Sequence, residues 1–526
     1  MRRLIAFAVC ASVVACGSPA FAATAAAAPT ARHAPPPPGV SWGFFDYTTD
    51  LVAGLKNARL GRATAVLWAS VETPPGSGVF DWSGLDGMVQ AAQAAGMSGV
   101  VELKSGNGSA FSDPVCFDRV RSAPEDAFPN GRALASCPVK PEMEAAWSAM
   151  VKAVAERYDG DGNADMPGWN GTVRFDIQVE NEAANWELWD FGEEDRTLAA
   201  DHYLRLLELA YKAKRAVAPG MQVILAGLMH PNLLARCDAQ PGLPECSVAT
   251  IWQNLIFTKR ILTRPNLFDA VDVHVFAYYH FEPTYIDEGF QWVAAQMQQN
   301  GYQRPLYCLE WTGSSMLHVS TEGYADEFTA YFPYSDDFPD ADAFKAMYAA
   351  LDDPQNVVYR EWFEAEQAKE FPKLFSNILA AGATRLVHVQ YSDLFSGSPW
   401  DNVWWNWQGV IKYLGDTPIR KPSYYTYNLV AARLNGLTGA SRVGPAGDVR
   451  LYKFTFPSGE PAYVFWTDGP GATVDLASVI NHGSVRVTHV VTELDAANQP
   501  VIQPDETVPV GAVPVGDVPV LLKGVN

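Results

Sequence analysis

The chain has 526 residues, with 38 Lys and Arg against 59 Asp and Glu, for a formal net charge of -21 at pH 7. This length allows a large buried core and two or three domains. The strong negative charge repels nucleic acid and anionic membrane surfaces, so a neutral or weakly charged partner is expected instead.

The N-terminal segment has the order of parts found in an export signal. Residues 1–3 are Met-Arg-Arg, residues 4–15 are apolar, and residues 20–22 form a small-x-small cleavage site. This predicts a signal peptide over 1–22 and a secreted or periplasmic protein. Residues 13–17 also resemble a bacterial lipobox, so a lipid anchor on Cys16 is an alternative to an ordinary signal. No later stretch is apolar and long enough to predict a membrane span.

Seven cysteines occur in the chain, and two of them, at positions 10 and 16, lie in the leader. The spacing of the remaining five predicts two short disulfide loops, Cys116 with Cys137 and Cys237 with Cys246, which an oxidising compartment permits. Cys308 is left over within an apolar run, where a buried thiol is expected.

Residues 23–38, rich in Ala, Thr and Pro, predict a stiff linker. From residue 39 to 438 short apolar runs alternate with segments of helical period, which is typical of parallel βα units. Eight such units predict a (β/α)8 barrel, or TIM barrel, with about 150 residues beyond the roughly 250 that a plain barrel needs. The runs are 40–44, 65–68, 100–103, 175–179, 223–226, 270–276, 306–309 and 386–389.

An acidic and aromatic insertion at 316–353 follows the seventh run, so it is expected to shape the cleft above the barrel. After residue 438 the pattern changes to alternating strands separated by Gly and Pro turns. This predicts a C-terminal β-sandwich over 439–526. The predicted fold class is therefore α/β, a TIM barrel followed by a β-sandwich domain.

Acidic residues follow the fourth and seventh runs at the point where each run ends. The fourth run ends in Glu180-Asn181-Glu182, and the seventh ends in Glu310. In such barrels catalytic residues gather at the C-terminal ends of the strands. Two carboxyl groups facing each other across the mouth are what glycoside cleavage requires, since one protonates the leaving oxygen while the other attacks or activates water. Glu180 is an alternative to Glu182 because the two share strand parity.

Asn181-Glu182 and Glu310 resemble the signature of the clan A retaining glycoside hydrolases. The segments 392–393, 409–410 and 421–425 resemble the region after strand eight in glycoside hydrolase family 39, which contains β-xylosidase-like enzymes. The resemblance implies a glycosidase that cleaves β-glycosidic bonds of oligo- or polysaccharides with retention. Glu182 would be the acid/base and Glu310 the nucleophile, and no cofactor or metal would be needed.

The same resemblance implies that Asn181 bonds the sugar hydroxyl beside the scissile carbon and that a Tyr after strand six orients the nucleophile. This sequence has His274-Val275-Phe276 there, so His274 is a candidate for substrate binding and the Tyr role passes to Tyr278 or Tyr279. The clan often has a supporting Arg on strand two. The predicted strand has none, which leaves the support of the nucleophile unassigned.

Three tryptophans are predicted to bind sugar faces by stacking, with core packing as the alternative for each: Trp68, Trp311 and Trp405. Oxygen-bearing side chains alternate over 159–165 as in a calcium loop, but Ala164 and Asn170 stand where Gly and Glu are expected, so a solvated turn is favoured. A non-catalytic carbohydrate-binding surface protein on a barrel scaffold is the competing hypothesis for the function.

Overall fold

The structure, a computed structural model, describes the following residues: 40–45, 60–128, 131–243, 246, 249–276, 284–312, 357–389, 391–393, 408–414, 417–444 and 447–525. All statements below refer to these residues.

Eight parallel strands close into a barrel, which confirms the predicted TIM-barrel fold. Each strand pairs with its sequence neighbour, and β1 pairs with β8 to complete the ring. The strands are β1 (Ser41–Phe45), β2 (Leu60–Leu67), β3 (Ser98–Lys104), β4 (Phe175–Val179), β5 (Val223–Leu228), β6 (Ala270–Val273, continued by Val275–Phe276), β7 (Leu306–Thr312) and β8 (Ala383–His388).

Helices surround the barrel. Helix α4 buries Trp147, Met150, Val151 and Val154, the helical face that its sequence spacing predicts. The α-helices are α1 (Trp68–Val71), α2 (Ser83–Ala94), α3 (Pro114–Ser122), α4 (Glu144–Arg157), α5 (Arg196–Val217), α6 (Pro231–Ala239), α7 (Ala249–Ile261), α8 (Thr284–Gln299), α9 (Val357–Ala380) and α10 (Pro422–Arg433).

The barrel interior is filled by side chains in layers. An apolar middle layer contains one or two residues from each of six strands: Leu60, Val100, Ile224, Ala270, Tyr307, Leu309 and Val387. Below it, at the N-terminal ends of the strands, lies the base layer, formed by Asp176 and Arg385 against the ring of Tyr307. Above it, toward the C-terminal ends, lies the mouth layer of Arg62, Glu102 and Glu310. The interior is therefore a packed core with charged groups at both ends.

Both predicted disulfides are present, Cys116–Cys137 and Cys237–Cys246. The first joins helix α3 to the segment before α4, and the second closes the loop after α6. Cys308 is free and buried in β7.

The C-terminal region is antiparallel, as predicted. A six-stranded sheet has the order β11-β12-β13-β18-β15-β16, and a two-stranded sheet, β14 with β17, packs on one of its faces through a shared apolar cluster. The strands are β11 (Gly439–Val443), β12 (Val449–Thr455), β13 (Ala462–Thr467), β14 (Ala472–Val474), β15 (Ser484–His489), β16 (Glu506–Pro509), β17 (Val513–Val515) and β18 (Val520–Val525). A further hairpin, β9 (Ile411–Leu414) with β10 (Thr417–Arg420), precedes α10. The sandwich is thus uneven, with six strands facing two.

The other face of the six-stranded sheet packs against helix α9 of the barrel. Phe454 stacks on Phe375, with ring centroids 6.5 Å apart, and the Tyr452 hydroxyl donates to Asn377. The sheet therefore covers a helix whose opposite side lies against β7.

The predicted signal peptide, linker and Cys16 lie outside the described residues. Within the described part of the chain, no helix has the length and apolarity that crossing a bilayer requires.

Candidate active site

Strand β4 ends at Val179, and the backbone then turns sharply. Glu180 has φ 60° and Glu182 has φ 45°, a left-handed region that non-glycine residues rarely adopt. The two glutamates therefore point in different directions. Glu180 is fully buried, and its Oε1 accepts hydrogen bonds from the Ser105 backbone N–H (2.6 Å) and hydroxyl (2.7 Å). Of the two alternatives left open by the sequence, only Glu182 lies at the barrel mouth.

A β-bulge in β7 directs Glu310 into the same mouth. The pairing of β7 with β8 shifts between Cys308 and Trp311, so that Leu309 and Glu310 both face the interior while Trp311 faces outward. Bulges of this kind re-aim a side chain at the end of a strand. As a result, a carboxylate oxygen of Glu182 and one of Glu310 lie within 4.8 Å of each other.

Arg62 on β2 holds the Glu310 carboxylate. Its Nη1 donates to Glu310 Oε1, and its Nη2 lies 3.1 Å from Glu102 Oε2. Burial alone lowers the pKa of Arg62, but the charges of Glu310 and Glu102 outweigh it and raise that pKa, so the guanidinium stays charged. The expectation that strand two lacks this Arg was wrong, because β2 begins at Leu60 and not at residue 65.

Asn181 lies beside the same carboxylate. Its amide donates to Glu310 Oε1 at 3.0 Å, and its carbonyl oxygen accepts from Arg62 at 3.1 Å. These two bonds fix the orientation of the amide. The contact of Asn181 with a sugar hydroxyl remains a prediction.

His274 lies between the two glutamates. Its Nδ1 is 2.7 Å from Glu182 Oε1 and 3.4 Å from Glu310 Oε2, and its Nε2 is 3.0 Å from Asp272 Oδ2. Burial alone lowers the pKa of His274, but the charges of Glu310 and Asp272 and the hydrogen bonds to Asp272 and Glu182 raise it well above its usual value. The predicted sugar-binding histidine therefore contacts carboxylates on both sides.

A small hollow lies beside His274. It extends from the histidine toward the starts of α6 and α8, and its wall is formed by His230, Pro231, Asn232, His274, Val275, Phe276, Ile286, Gly289 and Phe290. Concave, largely apolar spaces with a few polar groups are typical of small-molecule sites.

Three further supporting residues, Glu102, Gln178 and Asp272, were not predicted from the sequence. Gln178 links the two halves of the site, since its carbonyl accepts from Arg62 and its amide donates to Asp272 Oδ2 at 2.7 Å. Asp272 also accepts from the Leu309 backbone N–H at 2.8 Å. A signal was present in both strands. Asp176 and Gln178 stand at alternate positions of β4 and so share one face, and Asp272 is the polar residue of the otherwise apolar segment Ala270–Val273.

Two of the three predicted sugar-stacking tryptophans are core residues instead. Trp68 is fully buried, and its ring packs on Phe111 and Trp147. Trp311 is 2 % exposed, and its ring packs on Phe371 at 5.0 Å on the outer side of β7. Both predictions are corrected for the same reason: each ring is buried among other side chains, where a sugar cannot reach it.

The remaining candidates, Tyr278, Tyr279 and Trp405, and the insertion 316–353 lie outside the described residues, so their roles stay predictions.

Two groups of side chains in the described residues are close enough to share an ion, each with ligand atoms within 4.8 Å of one another: Glu182, His274 and Glu310, and Asp159, Asp161 and Asp165. In the first group, the hydrogen bonds of His274 and Glu310 described above explain why the side chains lie close together. In the second, Asp165 accepts from the backbone N–H of Gly160 and Gly162, so the carboxylates close their own turn. Asp159 is buried in this turn, where a solvated side chain was expected.

No protein-family model and no curated protein sequence matches this chain. Solved structures do match its fold. A family 39 glycoside hydrolase from the gut symbiont Bacteroides cellulosilyticus WH2 is 13 % identical, with 92 % of this chain and 81 % of that chain covered and a TM-score of 0.55. CelM2, a bifunctional glucanase-xylanase from a metagenome library, is 10 % identical, with 92 % and 96 % covered and a TM-score of 0.53.

At these identities the likeness shows the fold alone, a (β/α)8 barrel that this chain has in common with solved glycoside hydrolases. The predicted fold is therefore confirmed, and the resemblance to family 39 stays an expectation from the sequence. The chemistry of this chain has to be argued from its own residues.

Proposed function

We propose that this protein is a retaining glycosidase that cleaves β-glycosidic bonds of oligo- or polysaccharides. In the first step Glu310 attacks the anomeric carbon while Glu182 gives its proton to the departing oxygen, which leaves a glycosyl ester on Glu310. In the second step Glu182 takes a proton from a water molecule, the resulting hydroxide oxygen bonds to the anomeric carbon, and the Glu310 carboxylate is released.

The separation of the two carboxylates carries this proposal. The nearest oxygens of the two carboxylates lie within 4.8 Å of each other. Retaining enzymes have carboxyl groups about 5 to 5.5 Å apart, whereas inverting enzymes need roughly 6.5 to 9.5 Å to admit a water molecule between carboxylate and sugar. The short separation supports direct attack by Glu310.

The hydrogen bonds of the two glutamates support the division of roles. Glu310 accepts from Arg62 and from the Asn181 amide, and both donors favour an ionised carboxylate, as a nucleophile requires. Glu182 lies outside this pair of donors and has His274 as its partner. Glu182 is therefore the better placed of the two to carry and return a proton.

The substrate is expected outside the cytoplasm. The predicted signal peptide and the two disulfides support a secreted or periplasmic enzyme. Lipid attachment at Cys16 remains the alternative to free secretion, and it would hold the barrel at the cell surface.

A panel of aryl β-glycosides and β-glycans tests the proposal on the purified full chain. For an active substrate, Glu310→Gln should lose about 10⁴-fold or more in kcat, because no second group can form the ester. Glu142→Gln, at an exposed side chain paired with Lys140, is the matched control and should retain full activity. The first anomer released, followed by NMR, should have the configuration of the substrate.

Glu182→Ala separates the acid from the nucleophile. This variant should hydrolyse dinitrophenyl glycosides far better than poorer leaving groups, because a good leaving group needs no proton. Added azide should restore turnover and yield a β-glycosyl azide. If the wild-type protein binds glycans but hydrolyses none of the panel, the non-catalytic carbohydrate-binding hypothesis replaces the enzyme.

A further inference from the structure

We propose that the Cys116–Cys137 disulfide and Arg119 position Glu182 for proton transfer, an inference that rests on the function proposed above. The disulfide closes a loop over residues 116–137, called here the disulfide loop. Glu182 belongs to a second loop, residues 180–190, called here the acid/base loop. The two loops contact each other at several points on either side of Glu182.

The backbone of the acid/base loop has to hold Glu182 in place. Within the described chain, the Glu182 carboxylate has one hydrogen-bond partner, the ring of His274. Three residues of the loop, Glu180, Glu182 and Asp190, have φ values of 60°, 45° and 47°. Non-glycine residues rarely adopt this left-handed region, and they keep it only when the surrounding structure fixes the backbone. The loop therefore depends on support from its neighbours.

The end of the disulfide loop supports the acid/base loop through the backbone. The Ser136 N–H donates to the Leu188 carbonyl at 2.8 Å, and the Asp190 N–H donates to the Ser136 carbonyl at 2.9 Å. Ser136 is fully buried and directly precedes Cys137. Because Cys137 is cross-linked to α3, the disulfide limits how far this pairing can move.

The start of the acid/base loop is supported by the same segment. Ser105, after β3, lies between Cys137 and Glu180. Its backbone N–H donates to Glu180 Oε1 at 2.6 Å, and its hydroxyl lies 2.7 Å from that oxygen and 3.1 Å from the Cys137 carbonyl. The acid/base loop is thus held on both sides of Glu182 by groups adjacent to Cys137.

The start of the disulfide loop contributes an ion pair. Arg119 follows Cys116 by three residues on α3, and its Nη2 donates to Asp190 Oδ1 at 3.0 Å. Asp190 is 1 % exposed, and a buried carboxylate needs a charged partner. Arg119 and Ser136 therefore hold the acid/base loop from the two ends of the disulfide loop, and the disulfide fixes these ends relative to each other.

Helix α5 contacts the acid/base loop independently of the disulfide. Arg196 Nη2 donates to the Ala184 carbonyl at 3.0 Å, and His202 Nδ1 lies 2.7 Å from Asp190 Oδ2. These contacts remain when the disulfide is removed. We therefore expect a protein that still folds, but in which the position of Glu182 varies.

Cys116→Ser combined with Cys137→Ser tests this role. For aryl β-glycosides with poor leaving groups, kcat/KM should fall about 10- to 100-fold, because these substrates need a well-placed acid. For dinitrophenyl β-glycosides, kcat/KM reports the attack by Glu310, which stays bound to Arg62, and should change less than about threefold. An equal fall for both substrates, or no fall for either, would overturn the proposal.

The second disulfide provides the matched control. Cys237→Ser combined with Cys246→Ser opens the turn after α6. Both double variants should have a lower Tm, the first by more, because its cysteines are 21 positions apart and those of the control 9. Only the first should change the ratio of the two kcat/KM values. The same change of ratio in the control would overturn the proposal.

Arg119→Gln loosens the acid/base loop while both disulfides stay intact. We expect kcat/KM for the poor leaving groups to fall about 3- to 10-fold, with little change for dinitrophenyl β-glycosides. Arg121→Gln, at an exposed side chain of the same helix, is the control and should have wild-type kinetics. Unchanged kinetics in Arg119→Gln would contradict the proposal.

Hydrogen exchange followed by mass spectrometry tests the inference without a substrate. In the variant without the Cys116–Cys137 disulfide, amides of residues 180–190 should exchange about tenfold faster or more, while those of β5 keep wild-type rates. Unchanged exchange in the acid/base loop would overturn the inference even in an active enzyme. Faster exchange in a protein that hydrolyses nothing would support the loop contacts and refute the proposed function alone.

Discussion

The barrel interior contains two buried arginines at opposite ends, and they serve different purposes. In the base layer, Arg385 lies 2.6 Å from Asp176, which also accepts from Arg174 and from the Gln222 backbone. In the mouth layer, Arg62 binds Glu310, whose other oxygen lies 3.4 Å from His274 Nδ1. The Arg385–Asp176 pair at the base contacts only other protein groups, whereas the Arg62–Glu310 pair at the mouth includes the proposed nucleophile.

The difference lies in position along the strands. Asp176 is near the start of β4 and Arg385 near the start of β8, whereas Glu182 and Glu310 follow the ends of β4 and β7. Burial raises the pKa of Asp176, but Arg385 and Arg174 outweigh it and lower that pKa, which leaves a permanently paired group. We therefore expect the base layer to contribute mainly to the free energy of unfolding and the mouth layer mainly to turnover.

The largest effect is expected from breaking the base layer. Asp176→Ala leaves the Arg385 charge buried without its main partner, so the free energy of unfolding should fall by about 3 to 5 kcal/mol. Chemical denaturation measures this loss. Activity per folded molecule should stay close to that of the wild type. A large fall in kcat at full folding would show that the base layer also acts in turnover.

Arg62→Lys tests the mouth layer. A lysine keeps the charge but cannot contact Glu310, Gln178 and Asn181 together, because it lacks the planar fork of arginine. We expect kcat to fall by about 10² to 10³-fold. Arg385→Lys is the matched variant at the base and should leave kcat near the wild-type value. Equal losses in the two variants would remove the distinction between the layers.

The buried carboxylate of Asp159 lies outside both layers, and its effect on stability is expected to depend on pH. Burial raises the pKa of Asp159 to about 7, with a contribution from the charges of Asp161 and Asp165. Since the folded-state pKa lies above the unfolded value, the folded state binds the proton more tightly, and stability falls as pH rises toward about 7 and stays low above it.

Asp159→Asn keeps the acceptor for the Asp161 backbone N–H but removes the charge. It should be more stable than the wild type at pH 8 by about 1 to 3 kcal/mol, and the gap should close near pH 4. Thermal unfolding in EDTA at several pH values measures this. A gap that does not vary with pH would contradict the shift.

The smallest effect is expected on the outer side of the bulge. Trp311→Phe should cost about 1 to 2 kcal/mol of stability, because the smaller ring leaves space against Phe371, and it should leave KM nearly unchanged. Steady-state kinetics and denaturation measure the two. A marked rise in KM would restore the sugar-stacking role that the structure removes.

The barrel, the paired glutamates and both disulfides could be predicted from the sequence. Their signals, the alternation of apolar runs with helical segments and the spacing of the cysteines, lie within short stretches of the chain. It placed β2 too late, since Gly61 and Arg62 interrupt the apolar pattern that marks a strand. It also put Trp311 in the cleft. Strict alternation cannot reveal a bulge, which is set by the pairing of β7 with β8.

His274 shows a different limit. The sequence identified it as a site residue, but not its contacts with three carboxylates that lie 92, 36 and 2 positions away along the chain. Such contacts depend on how far apart the strand ends lie across the barrel. They can be identified only in the closed barrel.

The packing of the C-terminal sheet on helix α9 limits how this protein can be dissected. Phe454 on the sheet stacks against Phe375, and Phe375 in turn lies beside Trp311 on the strand that carries Glu310, the proposed nucleophile. A chain that ends after residue 438 would expose the aromatic side of α9 that the sheet covers, behind the strand that carries Glu310. We expect such a chain to aggregate when expressed. A smaller variant should therefore be made by shortening parts of the chain other than the C-terminal sheet.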